Sequence, residues 1–111
     1  MSYVPERGDV VWINLNPQAG HEQAGLRPVL VLSPSSYNGL VGLMVCCPIT
    51  SRAKEYPFEV TIKNNPKVSG VALADHVRNL DWKARGVKRM GKVSDEELRE
   101  TVQKLKAVVG G

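Results

Sequence analysis

The sequence predicts a mainly β protein, a small barrel or half-barrel covered by one C-terminal α-helix. Three observations point to it. Several short segments alternate apolar and polar residues and are separated by Pro, Gly and Asn at the spacings of a small antiparallel sheet. Only one segment, after Ser94, repeats its apolar residues at helical spacing. The chain has 111 residues, 42% hydrophobic and 23% charged, which suits one domain (1–111) with a modest core that needs neither disulfide nor metal. Its six aromatic residues imply an aliphatic interior.

Asp9 to Leu15 is the first strand, with Val11, Ile13 and Leu15 on one side and Val10, Trp12 and Asn14 on the other. Asn16-Pro17-Gln18-Ala19-Gly20 breaks it with turn formers. The loop Gly20-His21-Glu22-Gln23-Ala24-Gly25-Leu26-Arg27 then leads into Pro28 to Leu32, a strand apolar enough to be buried on both faces. Pro28 suits a strand's first residue, so Arg27 is expected as the last residue before the sheet. Ser33 to Gly39 reads as a turn or one helical turn, with Ser33 as cap and Pro34 first. Leu43 to Thr50 is the third strand, its Pro48 implying an edge or a bulge, which leaves Thr50 and Ser51 at a rim. Phe58 to Ile62 alternates as a fourth, Gly70 to Val77 is a fifth and Val87 to Val93 a sixth. Ser94-Asp95-Glu96-Glu97 matches a capping box, and Leu98, Val102, Leu105 and Val109 form the buried stripe of the helix that follows. Glu100 and Lys104 pair on its wet side, and Gly110 ends it.

Charge and cysteine content narrow the functional classes. The formal charge is +4. Between Lys83 and Lys92 lie Lys83, Arg85, Lys88, Arg89 and Lys92 with no acid, a positive edge suited to phosphates or simply a solvated strand face. Cys46 and Cys47 are neighbours that point to opposite sides of a strand, so they cannot readily bridge; they suit buried filler in a reducing cytosol. No apolar run approaches the roughly 20 residues of a spanning helix, and no signal-peptide pattern is present, which places the protein in the cytoplasm and off the membrane. His21 and His76 are far apart and the cysteines form no CxxC clip, so no metal site and no cofactor are expected. A phosphate loop, a GxGxxG and a GxSxG elbow are all lacking. What stands out is chemistry at strand ends: His21, Glu22 and Arg27 at one rim, Thr50 and Ser51 at a second, Asp75 and His76 at a third. In a small curled sheet such rims can converge on one cleft.

Gly20-His21-Glu22-Gln23-Ala24-Gly25-Leu26-Arg27-Pro28, Cys47-Pro48-Ile49-Thr50-Ser51, Tyr56-Pro57-Phe58-Glu59-Val60 and Val71-Ala72-Leu73-Ala74-Asp75, in this order and at these spacings, resemble the MazF/PemK toxins of bacterial toxin–antitoxin modules. The resemblance extends over nearly the whole chain. It implies an SH3-like barrel that forms a homodimer and cuts single-stranded RNA at short motifs without a metal. It also implies a cognate antitoxin whose acidic, flexible tail competes with RNA for a basic groove.

Carried over residue by residue, the resemblance assigns Arg27 as the essential arginine and Thr50 as the essential hydroxyl. Glu22 becomes the base or the anion that orients Arg27, and His21 a candidate acid or base. Gln23, Ser51, Lys54, Asp75, His76, Lys83 and Arg85 are the candidate RNA contacts. Two positions depart from relatives: His76 stands where many carry Gln, and Leu73 where one plasmid branch carries an arginine assigned to its site. Asp75 is therefore read as a binding or bracing residue. Trp12 reads as core. The alternative is a toxin of the same fold that binds DNA gyrase and cuts nothing, as CcdB does. Against it stand the intact GHEQAGLRP loop and a C-terminus, Val109-Gly110-Gly111, without the Trp that CcdB uses.

Overall fold

The computed structural model describes residues 3–16 and 25–111. Its elements run β1 Asp9–Asn14, β2 Leu26–Val31, α1 Ser35–Val41, β3 Met44–Thr50, β4 Glu59–Asn65, β5 Val68–Leu73, β6 Arg78–Leu80, α2 Trp82–Arg85, β7 Lys88–Lys92 and α3 Asp95–Val109. All strand pairs are antiparallel, in the spatial order β4-β5-β3-β2-β1-β7, with β6 attached to β3. The sheet curls far enough for its two outer strands to touch. Asn65 Nδ2, at the end of β4, donates to the Lys92 carbonyl at the end of β7 over 2.7 Å. A Cβ on Gly91 would come within 2.7 Å of the same amide nitrogen, so this closure depends on a glycine in β7.

Curling gives the sheet two buried faces. Val10, Leu30, Cys47, Ile49, Val60, Ile62 and Ala72 form one core, onto which Leu98, Val102 and Leu105 of α3 pack. Val11, Ile13, Val29, Val31, Met44, Cys46, Leu80 and Trp82 form the other, closed by Tyr3, Val4 and Val87. The alternation of β1 and the doubly buried β2 thus follow the sequence, and Cys46 and Cys47 enter opposite cores. Burial pushes the Cys46 thiol up to about 12 and the Cys47 thiol higher still.

The two strand prolines explain where ladders are interrupted. Leu15 N donates to the Gly25 carbonyl, and alternate residues of an antiparallel strand face the same partner. Pro28 therefore turns its missing N–H away from β1, while the β2–β3 ladder begins only at Val29↔Pro48. So the expectation that the sheet starts after Arg27 is corrected: β2 begins at Leu26, Arg27 pairs with Ile13, and Pro28 sits inside the strand where it forfeits no ladder bond. Pro48 lies at neither an edge nor a bulge. On the side of β3 away from β2, β6 pairs with Met44–Cys46 and β5 with Ile49–Thr50, and Pro48 falls in the gap between them.

Other expectations shift by a turn or a residue. The segment after Pro34 is a seven-residue helix with no side-chain cap; Ser33 Oγ instead donates to the buried Asn38 Oδ1 and accepts from Val45 N. β5 stops at Leu73, and Asp75 and His76 lie in the connection to β6. β6 and α2 were not foreseen. Trp12 is 37% exposed rather than core, and Val109 is 71% exposed, so the buried stripe of α3 ends at Leu105. The capping box is present, Glu97 N donating to Ser94 Oγ and Ser94 N to Glu97 Oε1. The other oxygen of Glu97 accepts from Lys63 N at 2.8 Å and Asn64 N at 3.2 Å, tying the start of α3 to β4. Lys104 pairs with Glu100, as expected of an i,i+4 pair, but also donates to the Glu59 carbonyl at 2.7 Å.

Candidate functional site

Strand register brings the candidate residues together. Extending the Val29↔Pro48 register to the strand ends sets Arg27 opposite Thr50, and opposed residues project from the same face. Both line an open cleft of about 780 Å³, together with Ser51, Arg52, Lys54, Glu55, Tyr56, Pro57, Glu59, Leu73 and His76. Arg27, Arg52 and Lys54 bring three cations to this cleft beside the carboxylates of Glu55 and Glu59, and Thr50 and Ser51 add hydroxyls.

Thr50 is held from three sides. β5 pairs with it through Val71, Arg52 N donates to its Oγ1 at 3.2 Å, and Gly70 passes its carbonyl so closely that a Cβ there would stand 2.5 Å from the oxygen. Gly70 also has φ +128°, a conformation that L side chains rarely adopt. With Oγ1 accepting from the Arg52 amide, the hydroxyl proton is directed at some other acceptor, which suits a phosphate oxygen.

The 51–58 connection is folded around Glu59. Its carboxylate accepts from Lys54 N at 3.0 Å and Tyr56 N at 3.4 Å, while Glu59 N donates to the Tyr56 carbonyl. Glu55, between them, holds φ +55°, which a non-glycine residue adopts at a cost. Tyr56 Oη donates to Asp75 Oδ2 at 2.7 Å, and its ring lies 5.7 Å from that of Phe58 at a tilt of 54°. That hydrogen bond, aided by desolvation and the Asp75 charge, raises the Tyr56 phenol above its ordinary pKa. Asp75 Oδ1 is buried with no hydrogen-bond partner among the described residues, and His76 Nε2 lies 3.9 Å from it.

Of the residues singled out from sequence, Arg27, Thr50, Ser51, Lys54 and His76 line one cleft, and Asp75 joins it through Tyr56. His21, Glu22 and Gln23 lie outside the described residues. Lys83 and Arg85 do not line the cleft. Lys83 lies along Gly42 at the end of α1, and Arg85 Nη1 donates to the carbonyls of Asn14 and Asn16, each at 2.7 Å. Arg78 Nη1 donates to the Leu15 carbonyl, and Asn16 Oδ1 accepts from Gly25 N, so Asn16 and Gly25 are tied to each other. Tyr56 and Glu59 were not singled out; their sequence signal was the Tyr-Pro-Phe-Glu-Val segment itself, which carried no role. Among the described residues no group of three or more His, Cys, Asp or Glu could hold a metal ion, and no helix is long and apolar enough to cross a membrane.

Comparison with known proteins is consistent along the whole chain. A family model described as PemK-like, MazF-like toxin of type II toxin–antitoxin system matches residues 6–109. The Escherichia coli K12 endoribonuclease toxin MazF is 44% identical over 108 residues, covering 97% of this chain and 96% of the relative. A crystal structure of MazF from Deinococcus radiodurans superimposes with TM-score 0.95 at 54% identity, covering 99% of this chain and all of that one. A MazE–MazF crystal structure from the same organism matches with TM-score 0.87 at 48% identity, covering 98% of each chain.

Proposed function

We propose a function from one premise: the chain belongs to the PemK-like, MazF-like toxins of type II toxin–antitoxin systems. It is an RNA-cleaving toxin, an endoribonuclease restrained by a cognate antitoxin, as its relatives' names and their MazE–MazF complexes describe for them. The observation that supports Arg27 and Thr50 as its reaction centre is that the neighbouring strands β2 and β3 bring both to one cleft, beside Arg52 and Lys54.

The reaction uses the nucleophile that RNA carries. The 2′-oxygen attacks the adjacent phosphorus and loses its proton to a base; the bond from phosphorus to the 5′-oxygen breaks, and that oxygen receives a proton. The products are a 2′,3′-cyclic phosphate and a 5′-hydroxyl, and no metal-bound water is required. Arg27 binds two non-bridging oxygens through its planar fork and stabilises the charge of the pentacoordinate phosphorane. Thr50 donates its hydroxyl to the same phosphate. Glu22 and His21 are the candidate groups for the two proton transfers. Ser51, Lys54 and Gln23 follow the RNA backbone, while His76 meets a base edge and Asp75 braces the cleft through Tyr56. Lys83 and Arg85 contribute to the positive edge, and Arg85 also holds the carbonyls of Asn14 and Asn16. The protein works as a cytoplasmic homodimer, and the antitoxin's acidic tail occupies the same cleft.

The test is incubation of the protein in EDTA with a long unstructured RNA, followed by mapping of the fragment ends. Fragments with 5′-hydroxyl and cyclic-phosphate ends at one recurring motif are expected. Intact RNA would overturn the reading and favour a gyrase-binding toxin.

A further inference from the structure

Tyr56 is the one large aromatic side chain lining the cleft among the described residues, and it is 44% exposed. It is anchored at its backbone and at the tip of its side chain. Its amide donates to Glu59, its carbonyl accepts from Glu59 N, and its hydroxyl donates to Asp75. The ring of Phe58 lies 5.7 Å away at a tilt of 54°. With the hydroxyl used as a donor to Asp75, the surface that Tyr56 offers the cleft is its ring.

A rigid, half-exposed ring beside a cationic track is what an unstacked base requires. Single-stranded nucleic acid binds through backbone cations interleaved with aromatic platforms, and every base has a face to stack. Ser51, Arg52 and Lys54, on the same connection, provide the backbone contacts, and Thr50 marks the scissile phosphate. We propose that Tyr56 is a base-stacking platform for a nucleotide next to the scissile phosphate, held in place by Asp75 and Glu59. The proposal rests on the RNA-cleaving reading of the cleft. It makes Glu59 a positioning residue that shapes the 51–58 connection without touching RNA.

Base stacking on one aromatic side chain corresponds to roughly 5- to 150-fold in affinity. The test measures cleavage and binding of a target oligonucleotide by wild type, Tyr56→Phe and Tyr56→Ala, each against RNAs carrying one abasic nucleotide at successive positions around the cut. Tyr56→Phe keeps the ring and is expected to bind within a few-fold of wild type. Tyr56→Ala is expected to raise KM by roughly 5- to 150-fold, and this penalty should vanish on the RNA whose abasic position is the stacked one. A penalty of equal size on every abasic RNA would mean that Tyr56 only braces the fold, and no penalty at all would mean that it does not stack. Both results overturn the proposal while leaving RNA cleavage by wild type standing. Failure of wild type to cut or bind the intact RNA would overturn the cleavage reading and this proposal with it.

Discussion

Arg27 and Thr50 come from strands that the chain visits before and after α1, and they line one cleft because β2 and β3 are paired neighbours in the sheet. Their chemistry is separable by substitution. Thr50→Val keeps the shape and removes the hydroxyl; loss of one hydrogen bond to a charged group should lower the single-turnover cleavage rate by roughly 10- to 150-fold. Thr50→Ser should recover most of that rate. The cysteines give a second check at this scale. With Cys46 and Cys47 buried and their thiols displaced far above neutral pH, the native protein should resist thiol reagents and react with both only once unfolded. The placement of Arg27 and Thr50 at strand ends was legible from the turn formers and prolines beside them, and their proposed roles from the family resemblance. Tyr56 and Glu59 were not, because their roles depend on contacts with Asp75 and with amides around a connection that has no periodicity.

The elements hold this site through a few close approaches. Gly70 lets β5 pass the Thr50 carbonyl, so Gly70→Ala should cost roughly 1–3 kcal/mol of stability and reduce cleavage further than stability alone explains. Denaturant midpoints and single-turnover rates on the same preparation would separate the two effects. At the other end Glu97 joins α3 to β4. Burial pushes its carboxyl up, but amide hydrogen bonds from Lys63, Ser94 and Asn64 outweigh that and hold it below the ordinary carboxylate value. A lowered folded-state pKa contributes stability that is complete above the unfolded value of roughly 4.3 and is lost as pH falls through the folded one. Urea midpoints between pH 7 and pH 2 should therefore drop for wild type below about pH 4.3, and Glu97→Gln should start less stable and show a shallower drop. The helix around Glu97 could be read from its capping box and its i,i+4 spacing. β6 and α2 could not, since three- and four-residue elements carry no measurable period; their positions follow from pairing with β3 and from Trp82 entering the second core.

At the scale of the molecule, one curled sheet gathers into a cleft residues from β2, β3, the 51–58 connection and the turn after β5. The alternation of the strands indicated that rims could converge, but only the strand order decides which rims do. It also decides which cations can serve the site: Lys83 and Arg85 of the basic run lie off the cleft, whereas Arg52 and Lys54, outside that run, lie in it. RNA affinity should fall with salt at a log–log slope of about −0.7 per phosphate contacted. Lys54→Gln should make that slope shallower by about 0.7, whereas Lys83→Gln should leave it nearly unchanged; fluorescence anisotropy across a salt series measures both.

The proposed chemistry of the cleft depends on Arg27 stabilising the transition state of RNA cleavage. Wild type and Arg27→Ala are to be compared on one target RNA in EDTA, recording the single-turnover rate at saturation and the affinity in the same samples. A rate reduced on the order of 100- to 1,000-fold, with binding weakened by no more than about tenfold and the fold intact by circular dichroism, is the expected result. An Arg27→Ala protein that cuts at the wild-type rate, or that fails only because it no longer binds RNA, would contradict the claim.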